Sequence, residues 1–214
     1  HSRGHRCDDG RQERVIEERH VTNSSLTSDI VVVGGGLAGL LAACRLAETG
    51  RSVTLLAPPR GPDRRTTALL GASIDALRVA GVWDAVAEQS QPLRSIRIID
   101  ATGRLVRAPE VRFDAAEMDR EAFGYNVPNE PLLAALEATV DRAGVVRRVA
   151  KADGIRRERD AVYVETDAGE TIHSRLLVAA DGQNSACRAA AGIRIDIRPT
   201  GQTALVCNFS HTLP

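Results

Sequence analysis

The spacing of hydrophobic positions changes several times along this chain, and each change predicts a new element. Residues 29–33, DIVVV, are almost wholly apolar, the pattern of a short strand covered on both faces in a parallel sheet. From Leu37 to Thr49 the spacing becomes helical, with Leu40, Leu41, Cys44 and Ala47 on one side and Gly50 as the stop. RSVTLLA, residues 51–57, predicts a second strand. Strand, glycine turn, helix and strand fit in about 30 residues, the length of one βαβ unit.

PPRGPD (58–63) breaks this rhythm, and residues 66–86 return to helical spacing with Leu70, Ile74, Leu77 and Val82 facing inward. Residues 93–108 alternate apolar and arginine positions around Ala101–Gly103, which predicts a β-hairpin. NEPLLAALEATVDRAG (129–144) predicts a helix capped by Asn129, with Pro131 in its first turn and Gly144 at its end. Its apolar stripe is Leu132, Leu133, Leu136 and Val140. Residues 144–174 predict short antiparallel strands feeding one apolar strand, RLLVAADG (175–182). A small-residue helix follows over 184–193, and residues 201–214 begin another strand. Trp83 and Met118 are expected in the packing.

Composition narrows the function classes. The chain has 214 residues, 43% hydrophobic and 26% charged, with 28 acidic and 28 basic residues. That balance gives no electrostatic reason to expect nucleic acid, and 3% aromatics offer few bases a stacking platform. Cys7, Cys44, Cys187 and Cys207 lack metal-ligand spacing, so no metal is expected and a reduced, intracellular setting is. No apolar run approaches the ~20 residues of a membrane span. Residues 1–28 are polar and expected to be a disordered tail; Asp8, Asp9, Glu13, Glu17 and Glu18 argue against a mitochondrial transit peptide.

The glycine turn carries the first chemistry. In G-x-G-x-x-G, the first glycine makes the strand-to-helix turn, the second leaves room for a pyrophosphate, and the third lets the helix pack on the sheet. Those roles fall on Gly34, Gly36 and Gly39. Diphosphate oxygens would meet the free amides of the helix start at Leu37 and Ala38. The competing reading is a glycine-rich turn serving helix packing only. An acid to hold the adenosine ribose is expected at the end of the second strand, but Ala57 stands there. Arg60, Arg64 and Arg65 follow closely, which keeps a 2′-phosphate open at this point.

Five segments in order, VVVGGGLAGLLAACRLAETG, RRTTALLGASIDALRVAGVWD, GYNVPNEPLLAALE, LLVAADGQNSACRAAAGI and GQTALVCNFSH, give a wider resemblance. Together they resemble the FAD-dependent aromatic hydroxylases of ubiquinone biosynthesis (the UbiH/UbiF/VisC group), within the p-hydroxybenzoate hydroxylase class of flavoprotein monooxygenases. The resemblance covers nearly everything from Asp29 onward. It implies an α/β fold: a Rossmann-like FAD-binding domain with a parallel sheet, helices on both sides and an antiparallel β-meander, then the start of a substrate-domain β-sheet. It implies FAD bound by Gly34, Gly36, Leu37, Ala38 and Gly39, with Arg65 and Asn129 beside the cofactor. Asp181 and Gly182 match an Asp-Gly motif serving FAD and incoming NAD(P)H, and Arg188 matches that motif's arginine. A meander between Gly154 and Ser174, ahead of the Asp-Gly strand, is similar to that of FAD-binding members.

The activity so implied is hydroxylation of a phenolic, polyprenylated ring with NAD(P)H and O₂. It implies a cytoplasmic enzyme, peripheral at the inner face of the membrane or in a biosynthetic complex. No catalytic acid or base is assignable, and His1, His5, His20, His173 and His211 show no paired spacing. The family's third fingerprint, a Gly-Asp segment for the ribityl chain, is absent. The chain is therefore expected to be an N-terminal fragment, inactive alone, with a FAD-binding portion over 29–195 and a truncated substrate-domain strand over 196–214. Two other readings stay open: a different flavoprotein oxidoreductase of this fold, such as an isoprenoid reductase, or a non-catalytic dinucleotide-binding module.

Overall fold

The computed structural model describes residues 25–204 and Thr212. Its elements in chain order are β1 (Ser25–Val33), α1 (Leu37–Ala47), β2 (Val53–Ala57), β3 (Thr66–Leu70), α2 (Gly71–Val79), β4 (Gln91–Pro92), β5 (Ser95–Ile98) and β6 (Val111–Asp114). They continue with β7 (Gly124–Pro128), α3 (Asn129–Arg142), β8 (Val146–Val149), β9 (Ala152–Arg157), β10 (Val162–Thr166), β11 (Thr171–Ala179) and α4 (Ala186–Ala190). The main sheet has six strands in the order β8-β2-β1-β11-β10-β9. The first four run parallel, and β11, β10 and β9 form the antiparallel meander.

β1 lies inside this sheet, and Val31 and Val32 are both fully buried, which explains the unbroken valine run. Ile30, Val32, Val53 and Leu55 pack against Leu40 and Cys44 of α1 and Leu136 and Val140 of α3. Val31, Val33 and Leu56 face the other way, against Val164, Ile172 and Cys187 of α4. Helices thus cover both sides of the sheet. Burying one such side chain contributes roughly 1.5–3 kcal/mol. An exposed pair such as Arg45–Glu48 contributes about 0.3–0.5 kcal/mol, so the apolar stripes hold the layers together.

Several expectations change in the structure. Thr66–Leu70 is a strand rather than the start of a helix; it pairs antiparallel with β7, and Gly124 lets the two backbones approach closely. Leu70 is consequently exposed, while Ile74, Leu77 and Val82 are buried as expected. β8 joins the parallel sheet beside β2 instead of the meander. As an edge strand it tolerates Arg147 and Arg148, whose polarity hid its membership. The hairpin pairs β5 with β6, Ser95↔Asp114 to Ile98↔Val111, so its second arm is 111–114 rather than 104–108. Asp100 closes the intervening loop by accepting the amides of Thr102 and Ala108.

TIHS and RLLVA form one nine-residue strand, β11, which pairs along β1 from Ser25 onward. β1 therefore begins within the stretch expected to be a tail, and Ser28 Oγ meets Ser174 Oγ at 2.9 Å in a buried contact. Trp83 is buried edge-on to Tyr125, whereas Met118 is exposed rather than packed. Residues 196–204 carry neither helix nor strand. The expectations for residues 1–24, for most of the strand over 201–214, and for Cys7, Cys207, His1, His5, His20 and His211 lie outside the described residues.

Candidate dinucleotide-binding site

The three motif glycines differ in what surrounds them. Gly34 ends β1 at φ +120°, and a Cβ there would fall on the carbonyl of Ala180, where the neighbouring strand leaves the sheet. A Cβ on Gly39 would collide with the Gly34 carbonyl, so the absent side chain lets α1 seat directly on the turn. At Gly36 an added Cβ would meet nothing within 4 Å: its missing side chain leaves open space. Gly36 is extended (φ −79°, ψ −179°) and starts α1 with no side-chain cap and no acid in the first turn. The first intrahelical bond is Leu40 N–H to the Gly36 carbonyl at 2.9 Å. The amides of Leu37, Ala38 and Gly39 precede it, at the positive end of the helix.

A cleft of about 810 Å³ opens beside this turn, and Gly36, Leu37, Ala57, Arg65 and Asn129 all line it. Arg65 donates through Nε and NH2 to the two Asp63 oxygens at 2.8 and 2.7 Å. A guanidinium carries five N–H donors, so this pair leaves donors for a phosphate. Arg65 and Asn129 hold Asp63 well below the usual carboxylate range.

Asn129 is not the cap of α3. Pro128 holds that position, and no side-chain capping bond is present. Instead the buried Asn129 amide is drawn toward the loop before β3. It accepts from Thr67 Oγ1, donates to Asp63 Oδ2 at 2.9 Å, and gives its backbone N–H to the Arg65 carbonyl at 2.9 Å. Asn129 therefore fixes the segment that carries Arg65.

Asp181 and Gly182 stand at the exit of β11, next to the glycine turn: Val33 pairs with Ala179, and Ala180 N–H donates to the Val33 carbonyl at 2.8 Å. They are not among the residues lining the cleft. Gly182 takes φ +81°, which lets the chain turn sharply into α4. The Asp181 carboxylate accepts Ser185 Oγ at 2.6 Å and Cys187 N–H at 3.1 Å. Burial raises its pKa, but these bonds outweigh burial and hold it below the ordinary value. Arg188 pairs with no carboxylate in the hydrogen bonds of this turn; it donates to the Gln183 carbonyl at 2.9 Å. Burial and the Asp181 charge push the Cys187 thiol up to about 12, and burial raises Cys44, so neither is poised as a nucleophile. No metal-binding cluster occurs among the described residues.

Sequence reasoning missed the polar network at the outer end of the cleft. Arg60 donates to Glu130 at 3.1 Å and through Nε to Glu137 at 3.0 Å, and Arg147 approaches Glu137 at 3.9 Å and Asp141 at 3.4 Å. Arg60 is thus engaged by two carboxylates, which weakens the 2′-phosphate reading. Two acids two turns apart on α3, Glu130 and Glu137, facing a loop arginine were the available signal.

An open glycine beside uncapped helix amides, on a parallel sheet with an antiparallel meander, defines a dinucleotide-binding domain of the flavoprotein kind. The chain belongs to the FAD-binding domain family, which it matches over residues 27–210. It is similar to a ubiquinone hydroxylase, UbiL, of Rhodospirillum rubrum: 35% identical over 193 residues, 86% of this chain and 44% of the relative. It is also similar to the 3-demethoxyubiquinol 3-hydroxylase of Escherichia coli, 34% identical over 190 residues, 84% of this chain and 47% of the relative. The chain spans less than half the length of either. Among solved structures, the flavin-dependent monooxygenase PieE, in complex with FAD and substrate, superposes with a TM-score of 0.66 at 22% identity. That match covers 80% of this chain and 33% of PieE, and it shows the shared fold.

Proposed function

We propose that this chain supplies the adenosine and diphosphate cradle of an FAD-dependent monooxygenase that hydroxylates a phenolic ring of a ubiquinone precursor with NAD(P)H and O₂. The observation that carries the reading is Gly36. Its vacant side-chain position, the amides of Leu37, Ala38 and Gly39, and the adjoining cleft fit a diphosphate. Arg65 would add charged hydrogen bonds to the same phosphates, held in place by Asp63 and Asn129. Asp181 orders the β11–α4 turn, and Gly182 exposes backbone there for the nicotinamide co-substrate. Bound FAD supplies the redox and oxygen chemistry; the residues described here bind and orient it.

A polyprenylated ring places the work at a membrane face, as a cytoplasmic enzyme in peripheral contact. Among the described residues no helix is long and apolar enough to cross a membrane. The test joins this cradle to its substrate domain, reconstitutes the protein with FAD, and follows NADPH oxidation under O₂ with and without a prenylated phenol. Hydroxylated product appearing only with the phenol supports the reading. Flavin binding by that protein with no product from any phenol overturns the assigned reaction.

A further inference from the structure

The residue that ends β2 cannot hold a ribose: Ala57 has no polar side chain, and its Cβ lies against the glycine turn, 2.7 Å from where a Cβ on Gly35 would sit. The adenosine hydroxyls of a bound dinucleotide nevertheless need an acceptor, since leaving them unpaired in a cleft costs affinity. Two carboxylates line the cleft, Asp63 and Glu137. A carboxylate offers about four acceptor positions on its two oxygens. Asp63 has all of them engaged: Arg65 N–H and Nε on Oδ1, Arg65 NH2 and Asn129 Nδ2 on Oδ2. Glu137 receives one hydrogen bond, from Arg60 Nε at 3.0 Å, and a looser approach from Arg147 at 3.9 Å, both on Oε1. Those arginines come from the loop just after β2 and from β8, where Arg147 pairs with Leu55. They hold the Glu137 carboxylate in the same cleft that Ala57 lines.

We propose that Glu137, on α3, is the acceptor for the adenosine ribose hydroxyls, with Arg60 as the residue that positions it. This rests on the flavin reading of the same cleft. It places ribose recognition on a helix instead of on the second strand, and it makes Ala57 a site where an acid is dispensable.

The test measures binding of FAD, ADP and 2′,3′-dideoxy-ADP to the chain by calorimetry. The unmodified chain is expected to prefer ADP over the dideoxy analogue by about tenfold, the effect of one hydrogen bond to a charged acceptor. Glu137→Ala reduces that preference to within about twofold, and Glu137→Met, which keeps the side chain's length, does the same. Adding Ala57→Glu to either variant restores it. FAD binding with an undiminished preference in both Glu137 variants overturns this assignment and leaves the flavin reading standing. No binding of FAD or ADP to the unmodified chain overturns both.

Discussion

β1 and β11 run side by side, and each leaves the sheet through a glycine with positive φ into a helix, yet the two helix starts are treated in opposite ways. After β11 the chain supplies its own oxygens: Asp181 accepts the Cys187 amide, and Ser185 accepts the Arg188 amide at 2.9 Å. After β1 it supplies none, and Gly36 leaves space where a side chain would be. Parallel topology puts both turns where α/β ligands bind. Only the uncapped one keeps amides available for a phosphate.

The largest expected effect comes from destroying the first turn. Gly39→Val drives a side chain into the Gly34 carbonyl, and urea unfolding should show a loss of about 3 kcal/mol. Opening the second turn costs less. Asp181→Ala removes the oxygens that order α4, and about 1 kcal/mol should disappear at pH 7. The sign with pH follows from the lowered folded pKa: the contribution is complete above the ordinary carboxylate value near 4 and fades as pH falls through the folded one. The gap between wild type and Asp181→Ala in urea midpoint should therefore close in acid.

Smaller still is Arg65→Ala. Its ion pair is exposed, so the melting temperature should hold while FAD binding weakens by about three- to tenfold. The smallest effect is a contrast in timing: Cys44 and Cys187 should resist a thiol reagent in native buffer and react together once the chain is unfolded.

The difference between the turns was only half legible in the sequence. The β1–α1–β2 unit showed itself because its apolar spacing changes sharply around three glycines, each with its own steric reason. The Asp181–Gly182 turn was located, but not that its acid faces its own helix. Elements hidden by tertiary context were harder. Thr66–Leu70 carries helical spacing, yet pairing with β7 makes it a strand, and β8 looked like part of the meander because its arginines sit on a sheet edge. The outer cleft was least legible. Arg60 meets Glu137 across 77 residues of sequence and Thr67 meets Asn129 across 62, and no local pattern encodes such pairs.

The most direct test of the contrast between the two turns is titration of FAD against the wild-type chain and Gly36→Val, with thermal unfolding followed in parallel. Gly36 has a φ that valine accepts and an empty surround, so the variant should melt close to wild type while its FAD binding falls by about a hundredfold, as expected for losing two charge-assisted hydrogen bonds. Equal FAD affinity in the two proteins would contradict the claim that the diphosphate rests on the uncapped start of α1.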